Sequence, residues 1–125
     1  MHNPFRLFVA AVAISLSAAS WADSDRPAHA KGEPSETLQQ AVSNLSEYND
    51  KLDTLLAKGE LNAQDMHEVH MLTYTLENAL QKIQADLEET AAVLEEVHIA
   101  SETNKPEVVK EKGQVYLQST RTLVK

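Results

Sequence analysis

The sequence predicts an all-α fold: an antiparallel hairpin or bundle of three helices with one long central helix and coiled-coil-like seams. Three observations carry this. Apolar residues recur with alternating spacings of three and four, the period of a helix face packed on another helix. Glycine and proline, which punctuate secondary structure, cluster at 32–34, 59 and 106 and so divide the chain into three segments. Between Gly59 and Pro106 neither residue occurs, which leaves room for one unbroken helix of unusual length.

The first 22 residues are set apart. The chain opens with "MHNPFR", runs through the apolar stretch Leu7 to Leu16, and reaches the small-residue segment "SAASWA", with Ser20 and Ala22 at the minus-three and minus-one positions of a cleavage site. This is the pattern of a secretory signal peptide over residues 1–22. The run from Leu7 to Ala19 is shorter than the roughly 20 residues that span a bilayer, and no other segment is apolar enough to do so. Cleavage after Ala22 leaves residues 23–125, one domain at most, expected in the periplasm of a Gram-negative cell or outside the cell. Loss of Arg6, the one charged residue removed, takes the net charge from −8 to −9. An acidic surface disfavours nucleic acid and anionic membranes as partners. There is no cysteine, hence no disulfide, no lipid-attachment thiol, no thiolate ligand and no covalent c-type haem, although the expected compartment permits disulfides.

Residues 23–34, "DSDRPAHAKGEP", show no apolar periodicity and read as a flexible N-terminal arm. The helical domain then occupies 35–125. The first helix is expected over about 35–58, starting at Pro34 and Ser35 because proline suits a first turn and serine caps exposed amides. Its seam is Leu38, Ala41, Leu45, Tyr48, Leu52 and Leu55, and Lys58-Gly59 ends it. The second helix, about 63–101, is capped by Asn62 with Asp65 reaching back. Its seam runs Met66, Val69, Thr73, Leu76, Leu80, Ile83, Leu87, Thr90, Leu94 and Val97, with polar Ser101 next. The third helix, about 106–124, carries Val109, Tyr116 and Leu123 at sevens and is weakened by Gly113.

A short loop at Gly59–Asn62 forces the first two helices antiparallel. Their seams then pair at a constant index sum of 121, from Leu55 with Met66 to Leu38 with Ile83. The third helix folds back with Gly113 beside Leu94, Tyr116 beside Ala91, and His98 at its base. The central helix would be about 58 Å long and its neighbours about 36 and 30 Å, so each covers one half of it. Two-helix hairpins bury little apolar area, so the long helix bends or the molecule self-associates. A homo-oligomer, most simply an antiparallel dimer, or another helical protein is the expected partner.

The sharpest chemical pattern is "DMHEVHMLTY", residues 65–74. Met66, His67, His70 and Met71 are linked by i,i+3 and i,i+4 spacings into one zigzag strip. Thioether and imidazole suit Cu(I), and copper is the cofactor this strip would take. The mixture resembles the short Met/His patches of periplasmic copper- and silver-binding proteins. One helix cannot close a four-coordinate site, so further ligands would come from His29 of the arm or from another subunit. The plainer reading makes Met66 core filler opposite Leu55 and the others surface residues. A second pattern, Glu95 and His98 in "LEEVHIASE", is the E-x-x-H unit of di-iron bundles; those need it twice, and here it occurs once.

Haem is not expected. The likeness to cytochrome b562-type bundles is architectural only, because the first helix has no methionine and the last no histidine. Catalysis is not expected either: no cysteine nucleophile, phosphate loop or serine on a strand-to-helix turn is present, and Glu88/Glu89 and Glu95/Glu96 read as a solvated face. In the order "KGEPSETLQQAV", "LTYTLENAL", "LEEVHIASE", after a signal peptide, the chain resembles a family of small secreted bacterial helical proteins with no assigned function. That resemblance implies neither activity nor ligand.

Overall fold

The computed structural model describes residues 30–124. The expected signal peptide, the first part of the arm and His29 lie outside the described residues. Three helices follow one another: α1 (Leu38–Leu56), α2 (Ala63–Glu102) and α3 (Pro106–Leu123). They pack as an antiparallel bundle in which α1 lies along the N-terminal half of α2, α3 along the C-terminal half, and α1 and α3 touch each other only slightly.

Local chemistry sets the ends. Asn62 accepts from the Asp65 amide at 2.9 Å while the Asp65 carboxylate accepts from the Asn62 amide at 3.0 Å, a reciprocal cap that satisfies two otherwise orphaned donors. Gly59 turns the chain at φ +79° and Asn104 at φ +52°, a region that glycine and asparagine tolerate best. Pro106 opens α3, where its missing N–H is no loss. α1 starts later than expected. Thr37, not Ser35, is its cap, accepting from the Gln40 amide at 3.1 Å, because residues 31–36 are held outside the helix.

Residues 31–33 are not a free arm. Gly32 lies against the α2 backbone, the Glu33 amide donates to Thr75 Oγ1 at 2.9 Å, and Asn78 Nδ2 donates to the carbonyls of Lys31 and Glu33 at 2.7 and 3.0 Å. Asn44 then ties down the Pro34 carbonyl.

The α1 seam is covered: Ala41 and Leu55 are buried, and Leu38, Leu45, Tyr48 and Leu52 half-buried. Only part of the expected α2 seam is covered: Thr90 is buried and Val69, Thr73, Leu76, Ile83 and Val97 are half-buried. The innermost residues of α2 include Asp65, Leu72, Thr75, Ala79, Thr90 and Ala100, whereas Met66, Leu80, Leu87 and Leu94 are exposed. The packed line runs through 65, 72, 79, 86, 93 and 100, one residue before the expected 66, 73, 80, 87, 94 and 101. Leu55 with Met66 and Ala41 with Leu80 are therefore not closed layers. The physical reason is size. Ala79, Ala100, Thr75 and Thr90 let neighbouring backbones approach more closely than a row of leucines would. On α3 the space where a Gly113 Cβ would point is open.

Candidate functional site

Successive α2 residues turn by 100°, so the Met/His strip spans an arc of about 140° and its members do not all face the same neighbour. His67 and Met71 open onto a groove of about 580 Å³ between α1 and α2. Leu55, Leu72 and Tyr48 supply apolar surface, Lys51 and Lys58 are its cationic residues, and Gly32 and Glu33 also line it. His70 points elsewhere. Its Nε2 is 3.2 Å from the Tyr74 hydroxyl, with the two rings edge-on at 5.1 Å. Met66 is 55% exposed, so its reading as core filler opposite Leu55 is corrected.

The groove thus brings together one imidazole and one thioether and leaves the other two expected ligands outside it. No group of three histidine, aspartate or glutamate side chains able to hold a metal occurs among the described residues. The second pattern separates further. His98, expected at the base of α3, is solvent-facing with its Nε2 3.3 Å from Glu102 Oε1. Glu95 is exposed, and it is Glu96 that reaches α3, where Lys112 binds it at 2.8 Å and is itself held above its ordinary pKa.

The two groove lysines are committed locally. Lys51 pairs with Glu47 at 2.7 Å and lies 4.0 Å over the Tyr48 ring, a cation–π contact. Lys58 pairs with the buried Asp65. The hydrogen bond from Lys58, with that from the Asn62 amide, holds the Asp65 carboxyl below its ordinary value of 3.8, and Asp65 raises Lys58 in return. Because the folded pKa is depressed, this contribution to stability is present above 3.8 and is lost as pH falls below that value. Urea unfolding between about pH 6 and pH 3 should therefore show a wild-type advantage over Asp65→Asn that shrinks as acid is added. A constant difference would disprove the assignment.

Three site-shaping residues were missed in the sequence: Gly32, Thr75 and Asn78. Their signal was the polar pair Thr75 and Asn78 on a helix side otherwise able to pack, together with a glycine upstream that needs a partner. Neither alone has a period to reveal it.

A family model described as a family of unknown function matches residues 1–125. The chain belongs to that family, DUF6746. No curated protein and no solved structure matches it. The DUF6746 match agrees with the resemblance to a family without assigned function, and function has to be argued from the geometry above.

Proposed function

We propose that this is a non-enzymatic, exported helical protein that acts through helix–helix interaction, either with itself or with a protein partner. One observation carries the reading. Leu80, Leu87 and Leu94 recur at sevens on α2 and are 55, 45 and 45% exposed, and the shallow apolar surface around the first two is lined by α2 residues alone. A regular leucine row left open on a helix is the kind of surface that a second helix fills. The signal-peptide pattern of residues 1–22 supports export to the periplasm or beyond. A photo-crosslinking amino acid at Leu87, introduced in cells that export the protein, should give a discrete adduct that is absent when the label is at exposed Lys105. Equal labelling at both positions, or none at Leu87, would refute the reading.

A second reading is a small soft-metal module, favoured by His67 and Met71 opening onto the same groove. Competition for Cu(I) against a chromogenic chelator checks it. The wild type should withdraw the metal at least about tenfold more strongly than the His67→Ala/Met71→Ala double variant, since two soft donors would be lost. Equal competition ends that reading.

A further inference from the structure

The exposed row on α2 has a symmetry that the buried face lacks. Thr73, Leu80, Leu87, Leu94 and Ser101 are spaced by sevens, so the row reads hydroxyl, leucine, leucine, leucine, hydroxyl in either direction from Leu87. Both end hydroxyls are satisfied within their own helix: Thr73 Oγ1 donates to the His70 carbonyl and Ser101 Oγ to the His98 carbonyl, each at 2.7 Å. They close the apolar row without asking for a partner. A patch with this property is complementary to itself about a two-fold axis, as an isologous interface requires.

We infer that the occupant of this row is a second copy of the chain, its α2 antiparallel to the first, with the two-fold axis near Leu87. The inference rests on the helix-interaction reading above and names its partner. In this arrangement Leu80 of each copy meets Leu94 of the other.

The palindromic row and the helix dipoles select the direction. Glu88 and Glu95 flank the row together with Gln81 and Gln84. Parallel pairing would set each leucine of the row on its own mate and leave Glu88 and Glu95 on the opposite side of the seam from their mates. Antiparallel pairing brings Glu88 near its own mate, Glu95 level with Gln81, and Glu77 level with His98. Like charges in apposition, here at Glu88, oppose association, and antiparallel helix dipoles favour it.

The chain's own N-terminal segment is the poorer occupant. Once residues 1–22 are removed, as the export reading has it, the remaining Asp23–His29 contains no leucine, isoleucine, valine or aromatic residue other than histidine. The chain also enters the described structure at Lys31–Glu33, against Thr75 and Asn78, which lie on α2 roughly 120–200° around from the leucine row. Area suits a reversible dimer. A helix about 10–12 Å across in contact along about 42 Å covers roughly 450 Å² per copy, in the range of weak, transient interfaces.

The test uses the whole chain purified from cells that export it, which keeps whatever N-terminus the cell leaves. Light scattering should give twice the chain mass at about 100 µM, with a micromolar dissociation constant, and Leu87→Asp should weaken it at least about a hundredfold, since a charge would be buried at the axis. Circular dichroism of dilute Leu87→Asp should show the wild-type helix content, because Leu87 is already 45% exposed. The chain has no cysteine, so single-cysteine spin labels report unambiguously. Labels at Gln81, Glu88 and Glu95 leave the leucines intact and should be offset along the helix axis by about 18, 3 and 24 Å. Equal distances at all three positions, with no axial offset, would mean parallel pairing and would overturn the inference, as would a monomer at about 100 µM. A monomer whose Leu87 adduct in cells contains a different protein overturns the second copy alone; a monomer with no adduct overturns the helix-interaction reading as well.

Discussion

Leu72→Ala is expected to lower stability by about 2–4 kcal/mol, a large share of what a domain of this size possesses. Leu72 is 7% exposed and lies on the inner face of α2, lining the same groove as Leu55 of α1. Apart from these two leucines and Tyr74, the buried apolar residues among those described are the alanines 41, 79 and 100. Truncating Leu72 removes methyl groups that nothing nearby can replace, and a two-helix hairpin has few other contacts with which to compensate. The matched control is Leu80→Ala. In the monomer it should change stability by no more than about 0.5 kcal/mol, because Leu80 already faces outward. Urea unfolding of both variants, below the concentration at which the chain self-associates, decides between the two faces of α2. If Leu80→Ala proved the costlier change, the packed face would have been assigned wrongly.

Gly32→Val should cost about 2–4 kcal/mol by a different route. Gly32 adopts φ +66°, and a Cβ there would lie 2.6 Å from the Thr75 amide nitrogen and 2.8 Å from the Tyr74 carbonyl carbon. Both neighbours are helix backbone and cannot give way. The segment must therefore leave α2, breaking the three hydrogen bonds that join Lys31 and Glu33 to Thr75 and Asn78. At about 1 kcal/mol net each, these bonds set the scale of the loss. Detachment also caps it: the helices persist without the clamp, so helix content should fall little while hydrogen exchange of the Glu33 amide and around Tyr74 and Thr75 rises. Wild-type exchange at the Glu33 amide in Gly32→Val would show that the clamp does not depend on this glycine.

The two changes illustrate how unevenly the molecule was legible. Helix type and number followed from period, and the caps from single residues: Asn62 with Asp65, Gly59, and Pro106. These signals act within a few residues and depend on no distant partner. The Met/His strip was equally visible, yet its chemistry depended on directions around a helix. His67 and Met71 share a groove while His70 turns to Tyr74. Met66 was explained by a seam position that is left uncovered.

What the sequence by itself determined is the all-α architecture of three consecutive helices and the turns that reverse them, because capping, glycine turns and apolar period are local. Only the tertiary structure decided which face of α2 is covered. Apolar residues stand on the sides of both Ala79 and Leu80, 100° apart, each half of α2 has one helix packed along it, and periodicity cannot choose between the two sides. Close approach chose the small residues and left the leucine row outside. The clamp was likewise decided by tertiary structure, since the contact of Gly32 with a backbone more than 40 residues away leaves no period in the sequence.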